Sequence, residues 1–297
     1  MKTSISKLIL MLIVSAAIGS ASAQLTLTGT SYIQTFNSIG SGLPPGWSMR
    51  TNASATRLGT AVTSFTTNAT SWGTTSGQFA NYASTVSNYG TNFYGTNEST
   101  AVQAACTNRS VGMRQTGSFG DPGAAFVLQL QNTLGLAAFQ LSVDLNLLSV
   151  QSRTNTWMID YGIGGDPGSF TPVWTNTDSG VFGATTRTVS FGTALDNQAQ
   201  NVCIRIVALD ATTGTGSRDT FGIDNFRLSY SASGTVSPIP LTIQSLGGNV
   251  VLTWSNPSFA LQAAAMAVGT YTNVPGAASP CTNPINGPQR FFRLKAN

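Results

Sequence analysis

The 297-residue chain contains no histidine and only one glutamate, Glu98. Histidine is the side chain that most often transfers protons near neutral pH, and it is the commonest metal ligand. A Ser-His-Asp triad, a Cys-His dyad, a histidine metal site and a glycosidase centre built from paired glutamates are therefore excluded. This absence favours binding over catalysis.

Charged residues are also scarce, at 8% of the chain against about 25% in ordinary globular proteins. Hydrophobic residues reach 41%, so a core can still form. The abundance of strand-forming residues punctuated by Gly and Asn predicts an all-β protein. The formal charge falls from +4 to +2 without Lys2 and Lys7, leaving Lys295 as the only lysine. With no basic stripe, nucleic acid is excluded as a partner.

The N-terminus has the pattern of an export signal. Lys2 and Lys7 are followed by an apolar run from 8 to 18 and by Ala21-Ser22-Ala23. We expect residues 1–23 to be a signal peptide, cleaved after Ala23, and the product to be secreted or held at the cell surface. A membrane anchor is the alternative, but the run is shorter than the roughly 18 apolar residues that a spanning helix needs. No membrane span is expected after cleavage.

The cysteines leave two interpretations open. In an oxidising compartment Cys106 and Cys203 are the more plausible disulfide pair, because both fall in the larger segment, and Cys281 would be the odd thiol. The other interpretation is three unpaired, mostly buried thiols.

The composition divides the chain into a domain over 24–231, a Ser/Gly/Pro-rich linker over 232–239 and a small module over 240–297. Alternating or apolar runs predict strands at 125–130, 139–147, 157–163, 187–191, 202–209 and 221–230. Many strands at regular spacing indicate an antiparallel jelly-roll sandwich, similar to concanavalin-like and carbohydrate-binding domains. The stretch 65–100 keeps no regular period and is predicted to form long loops.

The small module is predicted to have strands at 241–244, 250–254, 259–263 and 290–294. About 60 residues with a few strands are typical of an immunoglobulin- or fibronectin-like β module.

Short motifs carry a resemblance to a family of secreted bacterial jelly-roll domains over nearly all of 26–231. The motifs are Phe36, Leu43-Pro44-Pro45-Gly46-Trp47, the run 108–114 and the run 218–229, which contains Gly222-Ile223-Asp224-Asn225-Phe226. The tail resembles a short C-terminal β module found at the ends of many large secreted bacterial proteins, although the stretch 263–269 is less polar than expected. These resemblances imply surface attachment or polysaccharide handling, and no known reaction.

The resemblance also implies a structural calcium site near the last strand, with Asp219 and Asp224 as ligands. Calcium suits the chain because it binds carboxylate, amide and carbonyl oxygens. The alternative is that Asp224 and Asn225 bond to backbone at the strand entry. No other cofactor is expected.

Two further sets of side chains are candidates for chemistry. Asp144 and Asp160 occupy polar positions of two candidate strands that are predicted to be neighbours, and the two side chains could face the same side. A hydrolase that uses aspartates would need two such carboxylates. The alternative is that both side chains are solvated on the outer face. The aromatic side chains of the 65–100 stretch offer faces for stacking on sugar rings. The residues proposed to stack are Trp72, Tyr82, Tyr89 and Tyr94, and the alternative is that they cap the sandwich.

The leading hypothesis is a secreted, non-catalytic β-sandwich protein that binds polysaccharide or another extracellular surface. The alternatives are a structural or adhesive component of an extracellular matrix without a small ligand, and a polysaccharide hydrolase that uses aspartates alone.

Overall fold

The computed structural model describes residues 24–86, 95–177, 180–233, 239–287 and 289–296. Its contacts divide the chain into two compact units between Ser233 and Gly234. The predicted signal peptide and most of the predicted linker lie outside the described residues.

The large unit is almost entirely β-structure, as predicted. Its strands are β1 (Ser31–Gln34), β2 (Trp47–Thr51), β3 (Thr60–Ala61), β4 (Thr66–Thr70), β5 (Gln78–Ala83), β6 (Arg109–Arg114), β7 (Ala124–Leu130), β8 (Leu136–Ser149), β9 (Thr156–Ile163), β10 (Thr171–Thr177), β11 (Gly183–Ser190), β12 (Val202–Ala208) and β13 (Thr220–Ala232). A 3-10 turn spans Ile39–Ser41, and one short helix, α1, spans Thr100–Ala105. Among the described residues, no helix is long and apolar enough to cross a membrane.

These strands form a two-sheet sandwich. One sheet has the order β11-β8-β13-β6-β5-β4, with β1 also paired to β13, and the other has the order β10-β9-β12-β7-β2-β3. Every pairing is antiparallel except that of β4 with β5. The predicted jelly-roll sandwich is confirmed, and β10 and β11, which are adjacent in sequence, form edge strands of opposite sheets.

The core lies between the sheets and follows the period of two. Phe139, Leu141, Val143 and Leu145 of β8 all belong to it. The opening and closing sequence motifs also meet there: the ring of Trp47 packs edge-on against Phe36 at 5.0 Å and against Phe226 at 4.9 Å. These motif residues therefore fix the core.

Both sheets are also covered on their outer faces, which the sequence did not predict. A second apolar cluster covers the sheet that contains β8; its members are Trp72, Ala80, Tyr82, Ala83, Cys106 and Leu148. A third covers the other sheet; its members are Ala53, Leu58, Ala125, Val127, Phe170, Cys203 and Val207. Loops from 52–59, 71–76 and 164–170 contribute to these covers.

The prediction of loops over 65–100 is wrong in part. The stretch contains β4 and β5, and α1 begins at its end. Strand β5 has no visible alternation because both of its faces are buried: Phe79 joins the central core, whereas Ala80 and Tyr82 join the outer cluster.

The small unit consists of two three-stranded sheets around its own core. The strands are β14 (Thr242–Leu246), β15 (Asn249–Thr253), β16 (Phe259–Ala264), β17 (Thr272–Asn273), β18 (Cys281–Pro284) and β19 (Phe291–Ala296). The sheet orders are β14-β15-β18 and β17-β16-β19. Leu252, Trp254, Phe259 and Leu261 form the buried core. The predicted small β module is therefore observed.

Candidate functional site

A half-open cleft of about 430 Å³ lies on the outer face of the β8-containing sheet. We call it the Phe182 cleft. Its lining combines two aromatic rings, two aliphatic side chains and a larger set of hydroxyl, amide and carboxylate groups. The lining residues are Ser71, Trp72, Gly73, Thr96, Glu98, Thr100, Gln103, Leu148, Ser149, Val150 and Phe182.

Helix α1 forms one wall of the Phe182 cleft. Ser99 caps its N-terminus by accepting a hydrogen bond from the N–H of Val102. The side chain of Gln103 is buried; it accepts the N–H of Trp72 at 2.8 Å and donates to the carbonyl of Glu98 at 2.8 Å. One amide therefore joins the helix to the loop that carries Trp72.

Trp72 is an anchor and not a sugar-stacking platform, which corrects the prediction. Its side chain is 3% exposed, and its indole N–H donates to the carbonyl of Ala83 at 2.9 Å. Its own carbonyl accepts from Thr220 at 3.0 Å. The ring meets Phe182 in an edge-to-face contact with the centroids 5.1 Å apart. Among the described lining residues, Phe182 is the one that offers a half-buried ring to the cleft, and sequence reasoning missed it.

Tyr82 is likewise unavailable for stacking. It is fully buried, its ring packs over Gly112, and burial raises its pKa. A Cβ at position 112 would lie 2.6 Å from that ring, so only glycine leaves room for it. Tyr89 and Tyr94 lie outside the described residues. Of the predicted stacking residues, Trp72 and Tyr82 therefore belong to the alternative reading in which aromatics close the sandwich.

The two aspartates considered for hydrolysis do not face each other. Asp144 lies on β8 and Asp160 on β9, which belong to different sheets. Neither is solvated, because loops cover the outer faces and leave Asp144 6% and Asp160 1% exposed. Asp160 instead pairs with Arg205 on the adjacent strand β12, through contacts of 2.8 and 2.6 Å. Both the predicted pair and its solvated alternative are therefore wrong.

Asp144 belongs to a buried polar network with Asp224. The two residues are opposite each other in the β8–β13 register. Asp224 accepts from the hydroxyl of Ser84 at 2.6 Å and from the N–H of Asn225 at 2.7 Å, and the amide of Asn225 donates to Asp144 at 2.8 Å. Burial raises the pKa of Asp224 to about 7, the charge of Asp144 adds to the rise, and the two hydrogen bonds to Asp224 oppose it. A carboxyl that is fully buried and bonded in this way has a structural role and cannot reach a substrate.

The predicted calcium pair is separated by the strand. Asp219 directly precedes β13 and accepts the N–H of Gln151, whereas Asp224 lies five residues further along. At about 3.3 Å per residue the two are roughly 16 Å apart along the strand, whereas calcium binds its oxygens at about 2.3–2.6 Å. The backbone bond from Asn225 to Asp224 agrees with the alternative interpretation. Within the described part of the chain, no group of three or more acidic, cysteine or histidine side chains is arranged to hold an ion.

The predicted Cys106–Cys203 disulfide is wrong. Cys106 lies in the outer cluster of one sheet and Cys203 in the outer cluster of the other, so the whole sandwich separates them. All three cysteines are free, with Cys106 and Cys203 buried and Cys281 partly exposed. Burial also raises the pKa of the Cys203 thiol to about 11, which makes it a poor nucleophile.

No protein-family model and no curated protein matches this chain. Solved structures that resemble it include a cleaved adhesin domain of Lys-gingipain from Porphyromonas gingivalis W83, at 12% identity and a TM-score of 0.39, over 69% of this chain and 100% of that one. Another is the C-terminal family 22 carbohydrate-binding module of a Clostridium thermocellum protein, at 13% identity and a TM-score of 0.36, over 70% and 97%.

A third is a Stig cyclase from Fischerella sp. TAU, at 14% identity and a TM-score of 0.37, over 69% of this chain and 91% of that one. Likenesses this distant carry no argument about function. The function has to be inferred from the residues of the cleft.

Proposed function

We propose that this protein is a non-catalytic saccharide-binding β-sandwich, and that the Phe182 cleft receives a segment of an extracellular polysaccharide. The observation that carries the proposal is the lining of the cleft. An aromatic ring provides a flat apolar contact, and hydroxyl, amide and carboxylate groups around it match the alternating C–H and O–H surfaces of a sugar.

The size of the cleft also suits a saccharide. At about 430 Å³ it lies within the range of small-molecule sites. The bonds of Gln103 in α1 to Trp72 and to Glu98 hold the walls in place before binding. A preformed site spends less free energy on ordering its side chains.

The acids of the cleft argue for binding without hydrolysis. Among the described residues that line the cleft, Glu98 is the one carboxylate. Glycoside hydrolysis by the usual mechanism needs a second carboxylate on the other side of the scissile bond. With the apolar run of residues 8–18 followed by Ala21-Ser22-Ala23 as an export signal, the protein would meet its polysaccharide outside the cell.

Retention of the purified full chain on insoluble polysaccharides tests this function. We expect retention on at least one of cellulose, xylan, chitin and β-glucan, and a roughly three- to tenfold weaker affinity for Phe182→Ala because an aromatic contact is lost. Val181→Ala is the matched control, since Val181 is 66% exposed, adjacent to Phe182 and not part of the lining. Lack of retention on every polysaccharide would overturn the proposal, and saccharide cleavage that is lost in Glu98→Gln would overturn its non-catalytic part.

A second candidate function is adhesion by self-association through the small unit. Several large apolar side chains of this unit are more than half exposed, namely Ile243, Leu246, Met266, Val268 and Ile285. Exposed apolar surface often marks an interaction site. Sedimentation of the full chain without saccharide tests this function: concentration-dependent association that Leu246→Ser reduces would support it, and a monomer at all concentrations would reject it.

A further inference from the structure

A second cavity opens at the side of the sandwich, between the two sheets and distinct from the Phe182 cleft. It lies where the edge strands β10 and β11 approach each other, and its volume is about 40 Å³. We call it the edge cavity. Leu145, Leu147, Trp157 and Phe221 form its apolar lining, and Trp174, Asn176, Gly183, Thr185 and Arg187 come from the edge strands or the residues beside them.

Two buried hydrogen-bond donors of this cavity have no acceptor. The indole N–H of Trp157 belongs to a side chain that is 1% exposed, and it bonds to no described residue. The Nε of Arg187 is buried and equally unsatisfied. A buried donor without an acceptor is unfavourable, so both N–H groups are positioned to bond to an acceptor that enters the cavity.

Arg187 also carries a charge that no ion pair among the described residues balances. The ion pairs found among the described residues join Arg205 to Asp160 and Arg218 to Asp121, and neither includes Arg187. Its guanidinium instead lies over the ring of Trp174, 5.3 Å from the centroid. Stacking of this kind fixes the position of the group and leaves its charge available to an anion.

We propose that the edge cavity binds the carboxylate of an acidic saccharide, such as a uronic acid. Two N–H donors and a cation match an anionic oxygen acceptor. A water molecule needs about 10–15 Å³, so the cavity holds a carboxylate group but not a sugar ring. The ring would rest outside, where Asn176 and Thr185 are exposed and can bond to its hydroxyls. Water alone would satisfy the donors, whereas a carboxylate also pairs with the charge of Arg187.

That the ligand is a saccharide rests on the proposed function, whereas the carboxylate is inferred from the edge cavity. The test is calorimetric titration of the full chain with soluble fragments of polygalacturonate, alginate and hyaluronan, each paired with its neutral methyl ester. We expect at least one acid to bind about tenfold more tightly than its ester, with an affinity that falls as salt is raised.

Variants locate the effect. Arg187→Gln should remove the preference for the acid, and Arg187→Lys should keep part of it. Trp157→Phe removes one N–H but keeps an aromatic ring to stack on Phe221, which lies 3.9 Å away, and should weaken acid binding a few-fold. Arg227→Gln removes an exposed charge on β13 and should change nothing.

The outcomes separate this inference from the proposed function. If every acid binds no better than its ester, or if Arg187→Gln keeps the preference, the edge cavity is not a carboxylate site. Retention on neutral polysaccharides through Phe182 would stand in either case. If acids bind through Arg187 while no neutral polysaccharide is retained, the edge cavity is the saccharide site and the Phe182 cleft is not.

Discussion

Trp72 shows how the environment of one residue decides between a binding and a structural role. An indole among Ser, Thr and Asn in an irregular stretch is typical of a sugar-binding loop. In the structure both polar backbone atoms of Trp72 and its indole N–H are bonded to buried partners. A side chain held in this way contributes to stability and offers no free face for stacking.

Replacing Trp72 with Ala is therefore expected to destabilise the large unit. Loss of a buried tryptophan costs about 3–5 kcal/mol through the lost apolar contacts and the cavity that remains. Urea unfolding measures the change in the free energy of unfolding. Leu134→Ala is the control, because Leu134 is 55% exposed and should change stability by less than about 0.5 kcal/mol. A stable Trp72→Ala protein that lost only saccharide retention would restore the stacking role.

Asp224 makes the free energy of unfolding fall as pH rises, which is the opposite of the usual effect of an aspartate. Its pKa rises from 3.8 to about 7 in the folded state, so the folded chain holds a proton that the unfolded chain releases in this window. The contribution of Asp224 to the free energy of unfolding therefore falls as pH rises from about 4 to about 7, by no more than about 4 kcal/mol.

Thermal unfolding of the protein and of Asp224→Asn across this pH range isolates that contribution. The amide keeps the shape of the protonated acid and does not titrate, so the difference between the two proteins should widen towards pH 7. Asp210→Asn, at an exposed position, should follow the parent protein throughout. A constant difference between the parent and Asp224→Asn would show that Asp224 is ionised over the whole range.

At the scale of elements, Arg205 holds a loop onto a strand. The side chain is fully buried in β12, pairs with both carboxylate oxygens of Asp160, and stacks on Phe170 at 3.3 Å. Its remaining donors reach the carbonyls of Ser54 at 3.1 Å and Arg57 at 2.8 Å. One guanidinium thereby fastens the 52–59 loop to the outer face of its sheet.

Arg205→Met should release that loop and leave Asp160 buried without its partner. Breaking a buried ion pair in this way costs about 3–5 kcal/mol. Trypsin provides a local readout, because Arg57 is exposed in the loop and cleavage after it should accelerate as the loop detaches. Combining Arg205→Met with Asp160→Leu should restore stability but not the anchoring of the loop. Unchanged cleavage at Arg57 would show that the apolar contacts of Leu58 hold the loop alone.

Strands with a long apolar or alternating run, such as β7, β8 and β12, could be predicted from the sequence, whereas β5 and β6 could not. The alternation of β8 identifies a strand and the side that faces the core. In β5 and β6, buried Asn81, Arg109 and Arg114 interrupt any such pattern. They are tolerated because neighbouring strands and helix α1 supply their partners; the guanidinium of Arg109 bonds to the carbonyls of Asn81 on β5 and Gln103 on α1, for example. Only the tertiary fold brings these elements together, so local sequence contains no signal of the contacts.

At the scale of the whole molecule, the chain is two compact units with separate cores. A segment with its own core can in principle fold alone. We therefore expect a chain that ends at Ser233 to melt at the same temperature as the large unit in the full protein. Calorimetry of both chains measures this, and a drop of more than a few degrees would mean that the small unit stabilises the large one.

The sequence alone determined the all-β character and the sandwich, because composition and a period of two act on each strand locally. It also made familiar catalytic centres improbable, because the chain has no histidine and only one glutamate. Only the tertiary structure decided which side chains are available. It buried Trp72, Tyr82, Asp144 and Asp160, kept Cys106 and Cys203 on opposite faces, and brought Arg187 to the edge cavity with Trp157 and Trp174. The physical reason is that exposure depends on what covers each outer face, and the covering loops are distant in sequence from the strands they protect.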